Sequence, residues 1–234
     1  MKRILNMAVL SVCAVFLSGC TSIMVFQDAK TVPQGSLETG VGMAAGSYSS
    51  RRTLANFDLT VPSVAGNAWL RYGIISSWDA GVNLAIPGNC TVDTKVMFMN
   101  EDNGAPFTMS GGAGYGFSMG NGNTENDSQV QKVTDYIIPL YFSKNMLDWL
   151  TAYVSPRYFY RRTYNEQRYT SLPATSEVLF DNMMGVGAGF AFNFNEKSRL
   201  MLEWQYTAPF SDLQLSSVQL GIGLATRWGG NKEK

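Results

Sequence analysis

The chain contains no histidine and only three cysteines among its 234 residues. Without imidazole, no side chain has an ordinary titration near neutral pH, so Ser-His and Asp-His hydrolysis are excluded. No catalytic residue and no cofactor is assigned, and the chain is not expected to be an enzyme. A metal site has no histidine to draw on and too few thiols. Charge is also scarce: charged residues make up 15 % of the chain, where a soluble domain averages about 25 %. Eighteen basic residues balance eighteen acidic ones, so no strong field favours nucleic acid. Beyond the N-terminus, no apolar run reaches the ~20 residues that a spanning helix needs. Glycine and aromatic residues are plentiful instead, with 23 glycines and 12 % aromatics. That composition suits a chain that alternates lipid-facing and water-facing residues, although a soluble β-protein can share it.

The N-terminus carries a processing pattern. Lys2 and Arg3 precede an apolar run from Ile4 to Leu17, which is followed by Leu17-Ser18-Gly19-Cys20. A basic start, a short apolar stretch and small residues before a cut site read as a secretory signal over residues 1–19. The tetrad resembles the lipobox of bacterial lipoproteins. That resemblance implies a lipid on Cys20 and, because Thr21 is not an aspartate, export to the outer membrane. Cys13 would leave with the signal, so Cys90 would be the one free thiol of the mature chain. Residues 20–35 read as the lipidated terminus and a linker that tethers the lipid to the first strand.

From Ser36 onward the pattern has period two, repeated about ten times. The first segment sets Leu37, Thr39, Val41 and Met43 against Glu38, Gly40, Gly42 and Ala44. The eighth sets Val186, Ala188, Phe190 and Phe192 against Gly185, Gly187 and Gly189. The last sets Val218, Leu220, Ile222 and Leu224 against Gln219, Gly221 and Gly223. Such alternation marks strands with two unlike faces, and segments of about ten residues suit tilted membrane strands. Glycine on a water-washed face weakens a strand, whereas on the inner wall of a narrow barrel it leaves room for larger neighbours. Residues 57–62 are expected to be either loop or a further strand. The odd connections (49–66, 119–132, 163–177 and 208–216) read as long polar loops, with a short exception at 87–90. The even ones read as turns. Trp78, Phe142, Phe194 and Trp228, with Tyr158, Tyr160 and Tyr206, are expected to form two interfacial girdles.

The polar face gathers ten charges. Glu38, Asp79, Asp93, Asp135 and Glu203 share it with Arg71, Lys95, Arg157, Arg161 and Arg227. Buried charges need partners, so these residues are expected to form a paired network that fills the lumen. The competing reading makes them the lining of a narrow hydrophilic pore. Among the outer connections, Arg161, Arg162 and Arg168 with Tyr160, Tyr164 and Tyr169 suit contact with lipopolysaccharide or another surface.

Residues 36–228 therefore resemble the small outer-membrane β-barrels of bacteria, with Trp228 in the place of their C-terminal aromatic signal and residues 229–234 as a tail. The expected fold is all-β, a closed antiparallel transmembrane barrel of about ten strands, within a range of about 8–12. Both termini should be periplasmic. The expected partners are outer-membrane lipids and lipopolysaccharide, and the expected role is structural or in surface interaction. A narrow channel is the alternative, and a soluble lipocalin-like binding lipoprotein comes third.

Overall fold

The computed structural model describes residues 24–52, 57–86, 88–123, 127–169, 174–210 and 215–229. Among them run ten strands: β1 (Ser36–Arg52), β2 (Phe57–Ile75), β3 (Trp78–Ile86), β4 (Asn89–Met99), β5 (Thr108–Asn123), β6 (Asp127–Leu147), β7 (Leu150–Tyr169), β8 (Thr175–Asn193), β9 (Ser198–Pro209) and β10 (Leu215–Gly229). Each pairs antiparallel with its sequence neighbours, and β1 closes the sheet on β10. Closure removes both sheet edges, which a sheet surrounded by lipid requires. The start of β1 and the end of β10 meet at one rim, the near end, where Ser36 lies opposite Gly229.

The period-two pattern becomes the two faces of the wall. Val41, Leu70, Ile138 and Leu220 point outward and are exposed, while Glu38, Arg71, Asp79 and Gln205 point inward and are buried. That polarity is inverted relative to a water-soluble barrel and matches a membrane-embedded one. Rings of Tyr115, Tyr136, Tyr160 and Phe180 contact one another in a row across β5–β8, with centroids 5.5, 6.2 and 6.0 Å apart. Trp78, Phe194, Trp228, Tyr158, Tyr160 and Tyr206 are exposed as a girdle requires. Phe142 is half-buried and packs against Phe107.

The far end departs from expectation. Most of residues 49–66, 119–132 and 163–177, read from sequence as loops, belong to strands. Ser50 still pairs with Leu59, Asn123 with Ser128 and Gln167 with Thr175. Residues 57–62 are the beginning of β2 and not a separate strand. Arg161, Arg162 and Tyr164 lie within β7. Beyond the bilayer both faces of a ribbon meet water, so polar residues can continue a ladder without alternating. The β3–β4 hairpin is the exception: β3 has 9 residues and β4 has 11, against 21 in β6. Pairing with the flanking strands ends at Gly66–Ile86 on one side and Asn89–Ser118 on the other. The wall is therefore notched above this hairpin.

The supposed linker is also different. Residues 24–35 fold back into the lumen. Gly35 turns the chain with φ +71° and donates to the Gly73 carbonyl at 2.9 Å. The segment then climbs away from the near end as residue numbers fall. Val32 meets Asp79, Asp28 meets Arg199, Phe26 lies against Gly223, and Met24 reaches Gly221 and Asn83. Met24, Phe26, Ala29 and Val32 are all at most 2 % exposed.

Candidate functional site

The site is the lumen, built by the inward-facing positions of all ten strands around residues 24–33. Its apolar anchor is Phe26, which stacks on Trp69 of β2 with centroids 5.4 Å apart. Gly42, Gly221 and Gly223 make room for the ring: a Cβ at each would lie 2.9, 2.6 and 3.0 Å from its atoms. Phe26 has φ +48°, a left-handed conformation that costs a non-glycine residue of order 1 kcal/mol or more. The stack, and the Glu203 carboxylate that accepts from the Phe26 N–H at 2.8 Å, hold it there.

The charges fall into four groups. Near the closure seam, Glu38 accepts from Arg199 at 2.8 Å and from Arg227 at 3.3 Å, and Arg199 also donates to Asp28 at 2.7 Å. On the adjoining strands β2–β4, Arg71 bridges Asp79 and Asp93, at 2.5 and 2.7 Å. Lys95 lies 3.8 Å from Asp79 and donates to the carbonyls of Asp28 and Lys30 at 3.0 and 2.8 Å. Arg157 lies 3.5 Å from Glu203 and donates to Ser155 and Gln205. Arg161 forks onto Asp135 at 2.7 and 2.8 Å, a bidentate geometry that is strong and directional. All ten residues singled out from sequence thus point inward, and each has an ion-pair partner.

The wall and the segment are stitched together by backbone as well as by charge. Glu203 accepts from the Val25 and Phe26 N–H groups and from the Tyr153 hydroxyl. Asp79 accepts from the Val32 N–H at 2.8 Å. Irregular backbone inside a barrel must find such partners, because an unpaired buried N–H costs of order 1–3 kcal/mol. The carboxylates therefore serve two ends at once, pairing the wall cations and receiving the segment's donors.

Residues 20–231 match the family model described as "Membrane bound beta barrel domain (DUF5777)". The chain belongs to this family of membrane-bound β-barrel domains. No curated protein sequence matches the chain. Among solved structures, the outer membrane protease OmpT from Escherichia coli is similar at 9 % identity and TM-score 0.60, over 85 % of this chain and 98 % of that one. The translocator domain of the autotransporter NalP from Neisseria meningitidis is similar at 9 % identity and TM-score 0.51, over 97 % and 96 %. At such identities the likeness concerns the fold, which is that of outer-membrane barrels.

In this DUF5777 barrel, several lumen residues escaped sequence reading. Arg199 shares the parity of Glu203 and Gln205, so period two marked it inward, but it lies at the strand edge beside a turn. Trp69, Tyr141 and Tyr153 also have inward parity. Asp28 lies outside any periodic segment and carried no signal. Cys20, the expected lipidation site, lies outside the described residues, as do the signal segment 1–19 and residues 230–234. Cys90, at the tip of the β3–β4 hairpin, has a free thiol. Among the described residues, no cluster of acidic, cysteine or histidine side chains could hold a metal ion.

Proposed function

We propose that this is an outer-membrane barrel lipoprotein with a structural or surface-interaction role, whose lumen is closed by its own residues 24–33. The observation that carries this reading is Phe26, fully buried in a glycine cradle on β1 and β10, stacked on Trp69 of β2 and hydrogen-bonded to Glu203 of the adjoining β9. Among the described residues, the lumen acids and bases pair with one another and with the segment, which leaves no line of unpaired charge there to conduct an ion. The absence of histidine argues against hydrolysis by an imidazole base, so a role other than catalysis is preferred. With the near end in the periplasm, the long β5–β8 ribbons would rise toward lipopolysaccharide on the cell surface. The signal over residues 1–19 and a lipid on Cys20 belong to the same reading. Intact-mass measurement of the mature protein tests them through the loss of the leader and the added acyl mass.

One observation favours a channel as the second reading. The segment is held by one aromatic anchor and a set of polar contacts, against a wall that is itself hydrophilic, so its withdrawal would leave a polar lumen. Planar-bilayer recording of the full chain beside a variant lacking residues 24–33 separates the two readings. The closed-lumen reading expects silence from the full chain and discrete steps from the deletion. Steady conductance from the full chain would make the protein a channel outright.

A further inference from the structure

Between the buried segment and the wall formed by β3–β7 lies a cavity of about 40 Å³. That is space for about three waters. One side is apolar, made by Val25, Ala85, Ile137, Pro139 and Phe159. The charged groups that reach it are already engaged. Asp93 is held by Arg71, Asp135 by Arg161, and Arg157 by Ser155, Gln205 and Glu203. A charged guest would find no free counter-ion.

Two lining amides are different. The Gln27 side-chain N–H donates to Asp93 at 3.5 Å, and that of Asn83 donates to the Met24 carbonyl at 3.2 Å. Those acceptors fix which way each amide points. They leave Gln27 Oε1 and Asn83 Oδ1 buried and without a hydrogen-bond partner, and Gln27 is only 2 % exposed. Two orphaned acceptors beside an apolar wall ask for a guest with a donor at one end and hydrocarbon at the other.

The notch supplies the way in. Asn89, the first residue of β4, lines the cavity, so the cavity reaches the tip of the β3–β4 hairpin, where the wall is lowest. The outer face of that tip is apolar, with Leu84 and Ile86 exposed. We infer that this cavity is a binding site for a small neutral amphiphile, a short alkyl body bearing a hydroxyl or amide N–H donor, which enters from the bilayer over the β3–β4 hairpin. The donor end satisfies Gln27 and Asn83, the alkyl body packs on Ile137, Pro139 and Phe159, and any longer tail trails through the notch.

The test is photolabelling of the full chain in phospholipid bilayers with 3-azi-1-octanol, with adducts mapped by mass spectrometry. Adducts are expected on Val25, Ile137 or Phe159, competed by excess 1-pentanol and not by pentane. Ala85→Leu, which extends into the cavity, should lower this labelling on the order of tenfold while heat-modifiable migration is kept. Should that variant fail to fold, Ile137→Ala enlarges the cavity and should shift labelling toward Phe159. Adducts confined to lipid-facing Ile138 and Leu140, or cavity labelling indifferent to pentanol, would overturn the assignment.

Discussion

Arg71 stands between two carboxylates, Asp79 and Asp93, with its side chain 2 % exposed. Removing one partner from such a group strands buried charge, which costs about 3–5 kcal/mol. Arg71→Ala should therefore lower the temperature at which the folded band converts to the unfolded one on a detergent gel. Arg71→Lys should recover part of the loss, because it restores charge and not the fork. Arg157→Ala should cost less than Arg71→Ala, since Glu203 keeps its three other donors from Val25, Phe26 and Tyr153. Equal or reversed losses at the two arginines would break this ranking. The inward direction of both was legible from parity alone, because side chains alternate strictly across a strand. Their partners were only partly legible. Arg71–Asp79 and Asp135–Arg161 join residues of adjacent strands, whereas Arg199 reaches Asp28 on a segment that has no period.

The same division appears among elements. Strands repeat a signal that a lipid-facing wall imposes, so ten segments were readable as ten strands. The ribbons above the bilayer lose that signal and resemble loops in sequence, although the ladder runs on. Residues 24–35 have no regular structure, and their sequence is that of an ordinary tether with a few apolar residues. The apolar run Ile23-Met24-Val25-Phe26 is the one local signal of burial in it. Its seat was visible from the other side, as glycines spaced by two in β10 with Gly42 in β1. Gly221→Val should unseat the segment, because even its Cβ would lie 2.6 Å from the Phe26 ring and 2.7 Å from Met24. The β10 ladder itself tolerates valine, so the barrel should stay closed while conductance appears in planar bilayers. A silent Gly221→Val barrel that folds normally would mean that something other than this seat closes the lumen.

At the scale of the whole molecule, the seated segment constrains any anchor placed upstream of it. Met24 packs beside Gly221, and the near end of β10 is Gly229. Those eight strand residues span roughly 20 Å along the barrel axis once strand tilt is included. The four residues from Met24 back to Cys20 reach at most ~14 Å, and the wall between lumen and lipid is closed. An acyl chain on Cys20 thus cannot sit in the near-side leaflet while Phe26 occupies its cradle. A lipidated barrel with a closed lumen therefore requires the chain upstream of Met24 to leave by the far end, and only acylation in the near-side leaflet is incompatible with closure. An epitope inserted after Thr21 makes the coupling measurable, with acylation followed by mass, tag exposure by antibody on intact cells, and closure by conductance. Acylated protein whose tag is shielded should conduct, and acylated protein whose tag is exposed should be silent. A shielded, acylated and silent barrel would contradict the seated segment itself, because no path of that length connects the cradle to the near-side leaflet.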